Sequence, residues 1–178
     1  MILDLISLAQ VESGREVFDI TAVDMSEVVE DCLHQQQEPA SLKNLDLVTE
    51  PPLEPVWALA DEEGVRTILN NLVSNALKYT PAGGRVVVAW RKEAEQVLLE
   101  VRDTGIGIAT RDQQRVFERF YRADKARSRE LGGTGLGLSI VKHLSQAFGG
   151  NVGLESKLDE GSTFRVHLPL AKDPGNGG

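Results

Sequence analysis

Two pairs of short apolar stretches, each pair closed by a tight turn, limit this chain's fold more than any other feature. Val86–Trp90 and Val97–Val101 form one pair. Asn151–Ser156 and Ser162–Leu168 form the other, joined through Asp159-Glu160-Gly161. Strands connected this tightly pair antiparallel, because a parallel pair needs a long crossover. Further strand-like stretches occur at Asp46–Glu50 and Val56–Leu59, with Pro51-Pro52 between them as a breaker.

Segments of helical period alternate with these strands. Asp24 is a fair N-cap for a helix reaching about Leu42, which Pro39 should kink or break. Asp61 caps a long helix to Tyr79, a short helix is expected around Asp112–Phe117, and another runs from about Gly135 to Phe148. Helices must cover one face of the sheet, so the sequence predicts an α+β fold, a two-layer α/β sandwich with a mixed, mostly antiparallel sheet.

The 178 residues suit one domain with a short appendage. A net charge of -8 disfavours nucleic-acid binding, yet backbone N–H groups and a metal ion can hold phosphates without surface basicity. Cys32, the one cysteine, excludes an internal disulfide and reads as a buried structural thiol. His34, His143 and His167 are far apart in sequence, which disfavours a structural zinc site. The apolar run Met1–Ala9 is too short to span a bilayer, and the chain reads as soluble.

Three segments carry candidate chemistry. On the long helix, Asn71, Asn75 and Lys78 share a narrow arc with Tyr79 at its edge, beside an apolar stripe of Val65, Leu69, Leu72, Val73 and Ala76. A solvated face would explain one asparagine, whereas two stacked amides also suit a ligand, an amide oxygen being a fitting donor to Mg²⁺. Asp103-Thr104-Gly105-Ile106-Gly107-Ile108 follows a predicted strand. It reads either as a turn or as a carboxylate facing an exocyclic amine, with glycines letting backbone approach a flat ring. Gly132-Gly133-Thr134-Gly135-Leu136-Gly137-Leu138 opens a helix, and is either a hinge or a nest of N–H groups for phosphate. Arg122, next to Phe120 and Tyr121, is the cation best placed to reach a γ-phosphate. The irregular stretch between Phe120 and Gly133 has the character of a lid.

In this order the segments resemble the four boxes of the sensor histidine kinase catalytic domain, in the GHKL ATP-binding superfamily. Asn71 to Tyr79 looks like the Asn box, Asp103 to Gly107 the first glycine box, Phe117 to Arg122 the Phe box, and Gly133 to Leu138 the second glycine box. The likeness covers roughly Asp24 to Leu170 and is nearest to membrane sensor kinases with phosphate-regulon-like lids, on Asp124 to Arg129. It implies a Bergerat-type fold. Asp103 would bind the adenine amino group, with Tyr79, Ile108 and Leu138 as pocket walls, Gly105 and Gly107 passing the ring, and Thr163 behind it. Asn75 would ligate Mg²⁺, and Asn71 and Lys78 would lie along the phosphates of ATP. Amides around Gly135 to Gly137, in the Gly133-Thr134-Gly135-Leu136-Gly137-Leu138 loop, would receive the phosphates, and Arg122 would enter from the lid.

The hydrolytic branch of the superfamily, with gyrase and mismatch-repair relatives, has a glutamate where Asn71 stands. The resemblance therefore implies phosphotransfer rather than hydrolysis, ahead of a GHKL-type ATPase or an anti-sigma-type serine kinase. None of His34, His143 and His167 lies in the family's phosphoacceptor motif. Residues 1–15 look like the end of the second helix of a dimerisation hairpin, 16–23 like a linker, 24–170 like the catalytic domain, and 171–178 like a disordered tail. The expected partners are a histidine-bearing dimerisation domain of the same parent and a response regulator receiver domain, with no nucleic acid. The fragment itself would be monomeric or weakly dimeric, cytoplasmic, and part of a membrane-bound sensor.

Overall fold

The computed structural model describes residues 17–123 and 133–173. The hairpin-helix reading of 1–15, the lid at Asp124 to Arg129 and most of the tail reading lie outside the described residues. The elements run β1 (Thr21–Asp24), α1 (Met25–Leu42), β2 (Asp46–Glu50), β3 (Trp57–Ala60) and α2 (Glu62–Tyr79). They continue with β4 (Arg85–Glu93), β5 (Gln96–Asp103), α3 (Thr110–Gln113), α4 (Gly137–Ala147), β6 (Asn151–Lys157) and β7 (Gly161–Pro169).

The main sheet has the order β2-β4-β5-β7-β6. Both expected hairpins form, β4–β5 and β6–β7, and β5 also pairs antiparallel with β7. Only β2 runs parallel to its neighbour, β4. On one face the apolar stripe of α2 (Val65, Ile68, Leu69, Leu72, Val73, Ala76) meets Val86, Val88, Leu99, Val101, Phe164 and Val166 in a single core. Helices α1 and α4 add Val28, Val29 and Cys32, and Ile140, Val141 and Leu144, to the same layer. This is the expected two-layer sandwich, because strand alternation supplies one apolar face and each helix one apolar stripe.

The uncovered face is held by charge. Glu100, only 6% exposed, lies 2.7 Å from Arg165 Nε and 3.3 Å from Arg102 Nε. Arg165 reaches Glu155 on β6 (2.8 Å) and Arg102 reaches Glu50 on β2, so a cross-strand ladder of alternating sign ties four strands together.

Three local expectations differ from the structure. The segment read as linker includes β1, where Thr21 to Asp24 pairs antiparallel with Ala60 to Trp57, so the domain's first strand starts inside it. Pro39 does not end α1, which continues to Leu42. The missing N–H costs one bond near the helix end, while the buried Ala40 anchors the last turn and accepts from the N–H groups of Lys43 and Leu45. The short helix is also confined to Thr110–Gln113.

Both long helices begin at an aspartate cap: Asp24 accepts from Ser26 N and Asp61 from Gly64 N, each at 2.8 Å. The end of α2 is equally well satisfied. Its last four carbonyls would otherwise lack partners. Ala76 O accepts from Thr80 N (3.0 Å) and Thr80 Oγ1 (2.7 Å). Lys43 Nζ donates to Leu77 O (2.7 Å) and Lys78 O (2.8 Å), and Ile106 N donates to Tyr79 O (3.2 Å). Lys43 thus supplies the cation favoured at a helix C-terminus from a different element.

Replacing Lys43 by Met is expected to destabilise the domain by about 1–2 kcal/mol, since it strands two carbonyls. Urea unfolding reads this as a lower midpoint with an unchanged slope. Cys32 gives a second test. Burial, partly opposed by Arg66, pushes its thiol up to about 11, and Sγ lies 3.2 Å from Asn70 Oδ1. The native state therefore holds the thiol proton more tightly than the unfolded chain, whose thiol ionises at about 8.5. That stabilisation is complete below the unfolded value and is lost as pH rises towards 11. Cys32→Ala should flatten this alkaline fall, and the wild-type thiol should react with Ellman's reagent at pH 8 only after denaturation.

Candidate functional site

Asp103 is the last residue of β5 and shares the helix-side face with Leu99 and Val101. Its Oδ1 accepts from Gly105 N at 2.8 Å, and the Ser162 N–H also donates to the carboxylate. Burial nevertheless pushes this carboxyl above its ordinary range, outweighing both donors. The loop that follows packs on two neighbours. Gly105 lies against the carbonyl of Tyr79, and Gly107 passes directly over the carbonyl of Lys157. Ile108 and Leu138 are partly buried against the core.

The polar stripe of α2 faces the start of α4. Asn71 Nδ2 donates to Thr67 O (2.8 Å), which turns its amide oxygen towards Gly137. A Cβ on Gly137 would sit 2.5 Å from that oxygen, so only glycine allows this approach. Two turns further on, Lys78 Nζ lies beside Gly133 and 5.2 Å from the centre of the Tyr79 ring. Asn75 is half-buried between Asn71 and Lys78. Helix α4 starts after Leu136 with no side-chain cap for its first N–H groups, and Thr134 Oγ1 accepts from Leu136 N at 3.4 Å. Those N–H groups are therefore available to an anion.

The Phe segment closes the third side. Phe117 packs edge-on against Phe164 (6.3 Å), and Tyr121 donates to Asp112 Oδ1 (2.6 Å) beneath the Arg115 guanidinium. Phe120 has φ 61° and Gly135 φ 75°, and Phe120 N donates to Gly135 O at 2.9 Å. Arg122 is half-buried, and its Nη2 is buried with no hydrogen-bond partner among the described residues.

Thr163 is turned away from the Asp103 side of the sheet. Thr163 pairs with Arg102 on the outer face, since β7 alternates and Phe164, Val166 and Leu168 face the core. Ser162 is directly opposite Asp103, on the same face and 7% exposed. Counting back in twos from Phe164 would have found it.

Residues 60–172 match the family described as histidine kinase-, DNA gyrase B-, and HSP90-like ATPases. The chain belongs to this family. Within it, the sensor-like histidine kinase SenX3 of Mycolicibacterium smegmatis is 41% identical over 98% of this chain and 45% of its own length. The crystal structure of full-length ShkA in complex with AMPPNP is 31% identical, with TM-score 0.83, covering 96% of this chain and 35% of that one. The mycobacterial sensor histidine kinase MprB is 28% identical, with TM-score 0.75, over 86% of this chain and 99% of that one. The chain thus has the catalytic-domain fold of sensor histidine kinases, and it spans less than half the length of the curated relatives it matches.

The raised Asp103 carboxyl predicts a trade between stability and site. A carboxyl whose folded pKa is raised contributes stability that is complete below its unfolded value, about 3.9, and is lost as pH rises through the folded one. Asp103→Asn, which keeps an oxygen for Gly105 N–H, should therefore raise the melting temperature at pH 8. The gain should shrink as the pH falls into the carboxylate range.

Proposed function

We propose that this domain binds Mg·ATP and transfers the γ-phosphate to a histidine on a separate dimerisation domain, for onward transfer to a response regulator aspartate. The observation that carries this reading is Asn71. Its amide oxygen faces the glycine start of α4, at the position where the hydrolytic relatives resembled by this sequence have a glutamate. An amide cannot take a proton from water, so the arrangement favours positioning over hydrolysis.

The residues divide by chemistry. Asp103, with Ser162 beside it, accepts from the exocyclic amine of adenine between Tyr79, Ile108 and Leu138. Gly105 and Gly107 bring the loop backbone to the edge of the ring. The N–H groups from Gly133 to Leu138, including Thr134, Gly135, Leu136 and Gly137, receive phosphate oxygens. Lys78 and Arg122 offset the charge that moves to the bridging oxygen as its bond to the γ-phosphorus breaks and a neutral imidazole nitrogen bonds to that phosphorus.

The donor set suits Mg²⁺ rather than a resident structural metal. No cluster of three His, Cys, Asp or Glu side chains occurs among the described residues, and Mg²⁺ prefers few protein ligands with phosphate and water oxygens. Asn75 supplies the amide oxygen, and the ion, when bound, neutralises phosphate charge. No helix among the described residues is long and apolar enough to cross a membrane. A cytoplasmic place for this domain in a membrane-bound parent is part of the same proposal and rests on the resemblance of its sequence boxes to those of membrane sensor kinases.

Calorimetry with ADP tests the binding reading. Affinity should depend on Mg²⁺ in the wild type and lose that dependence in Asn75→Ala. Asp103→Asn should weaken binding about tenfold or more, the loss of one charge-assisted hydrogen bond. Adding the parent's histidine-bearing domain with Mg·ATP should give an acid-labile phosphoprotein. Rapid steady-state hydrolysis by the chain alone would overturn the transfer reading.

A further inference from the structure

One hydroxyl beside the base pocket has more partners than it has hydrogens. Ser156, on β6, has Ile108 N at 2.8 Å, Gly161 O at 2.9 Å and Ser162 Oγ at 2.9 Å from its own Oγ. A serine hydroxyl offers one hydrogen and two lone pairs. A carbonyl can only accept, so the Ser156 hydrogen lies on Gly161 O. The Ile108 N–H takes one lone pair. The remaining lone pair faces Ser162, which must therefore be the donor of that pair. Any other assignment puts two oxygen lone pairs against each other at 2.9 Å.

We propose that Ser156 is a positioning residue that holds the Ser162 hydroxyl with its hydrogen turned away from the pocket, and so sets the preference for a base bearing an exocyclic amine. The proposal rests on the nucleotide-site reading above. With its hydrogen committed to Ser156, Ser162 presents only lone pairs to the pocket. Asp103, opposite it in register and on the same face, also presents only acceptors when ionised. Two acceptors side by side satisfy an amine, whereas a ring carbonyl there would find no donor.

The clasp has little freedom to relax. Gln113 Nε2 uses both its hydrogens, on Ile108 O (2.9 Å) and Ser156 O (2.7 Å). This ties α3 and the Ile108 wall to β6 from the other side. Ser156 therefore acts on the base through Ser162 and Ile108 without facing it.

ADP and inosine diphosphate, which carry an amine and a carbonyl at the same ring position, separate this role from a general structural one. Calorimetric Kd values should show the wild type preferring ADP. Ser156→Ala should narrow the ratio of the two constants about fivefold, the worth of one neutral hydrogen bond, and Ser156→Thr, which keeps the hydroxyl, should retain it. Equal weakening of both ligands, or an unchanged ratio, would overturn the proposal. Should Ser156→Ala fail to fold, Ser162→Ala carries the test: it should weaken ADP more than inosine diphosphate, and an unchanged ratio again overturns the idea. A wild type that binds neither ligand would instead remove the nucleotide reading, and this proposal with it.

Discussion

Helix α2 has to satisfy two neighbours with one cylinder. Its apolar stripe fills the core between α1, α4 and the sheet, while its polar stripe lines the site. The period that buries Leu69, Leu72 and Val73 also fixes where Asn71, Asn75 and Lys78 point, so a rotation that harmed the site would expose the core as well. The helix is fixed along its length as well. Asp61 caps its start, and its final carbonyls are bonded by Thr80, Lys43 and Ile106, three residues from three segments. One of these, Ile106, lies in the loop that follows Asp103, so the loop beside the proposed base pocket is tied to the end of the helix that carries the phosphate-side groups.

Much of this was legible in the sequence because it depends on period. The hairpins follow from tight turns and the stripes of α2 from helical spacing. Ser162 was missed where box matching and strand alternation gave different answers. The resemblance pointed to Thr163, yet Phe164 faces the core and places its immediate neighbour outside. Lys43 lay beyond the reach of spacing altogether, since its bonds join residues 34 and 35 positions away. Strand β1 was hidden for the same reason: four residues have a strand identity only through pairing with β3.

The two faces of the sheet solve the burial problem differently. The helix side removes apolar area from water, whereas the outer side also bonds β2, β5, β7 and β6 through alternating charges around Glu100. Exposed ion pairs contribute little individually, but Glu100 is nearly buried, and removing it would leave two arginines facing each other across β5 and β7.

The bond from Phe120 N to Gly135 O has a consequence for how such chains can diverge. Both residues have positive φ, and a Cβ on Gly135 would come within 2.9 Å of the Phe120 carbonyl carbon, so the two backbones are in direct contact. The distance between the Phe segment and the start of α4 is therefore set by one backbone hydrogen bond and two left-handed conformations. A side chain larger than glycine's at position 135 would push the two apart, so these two positions restrict each other however far apart they lie in sequence.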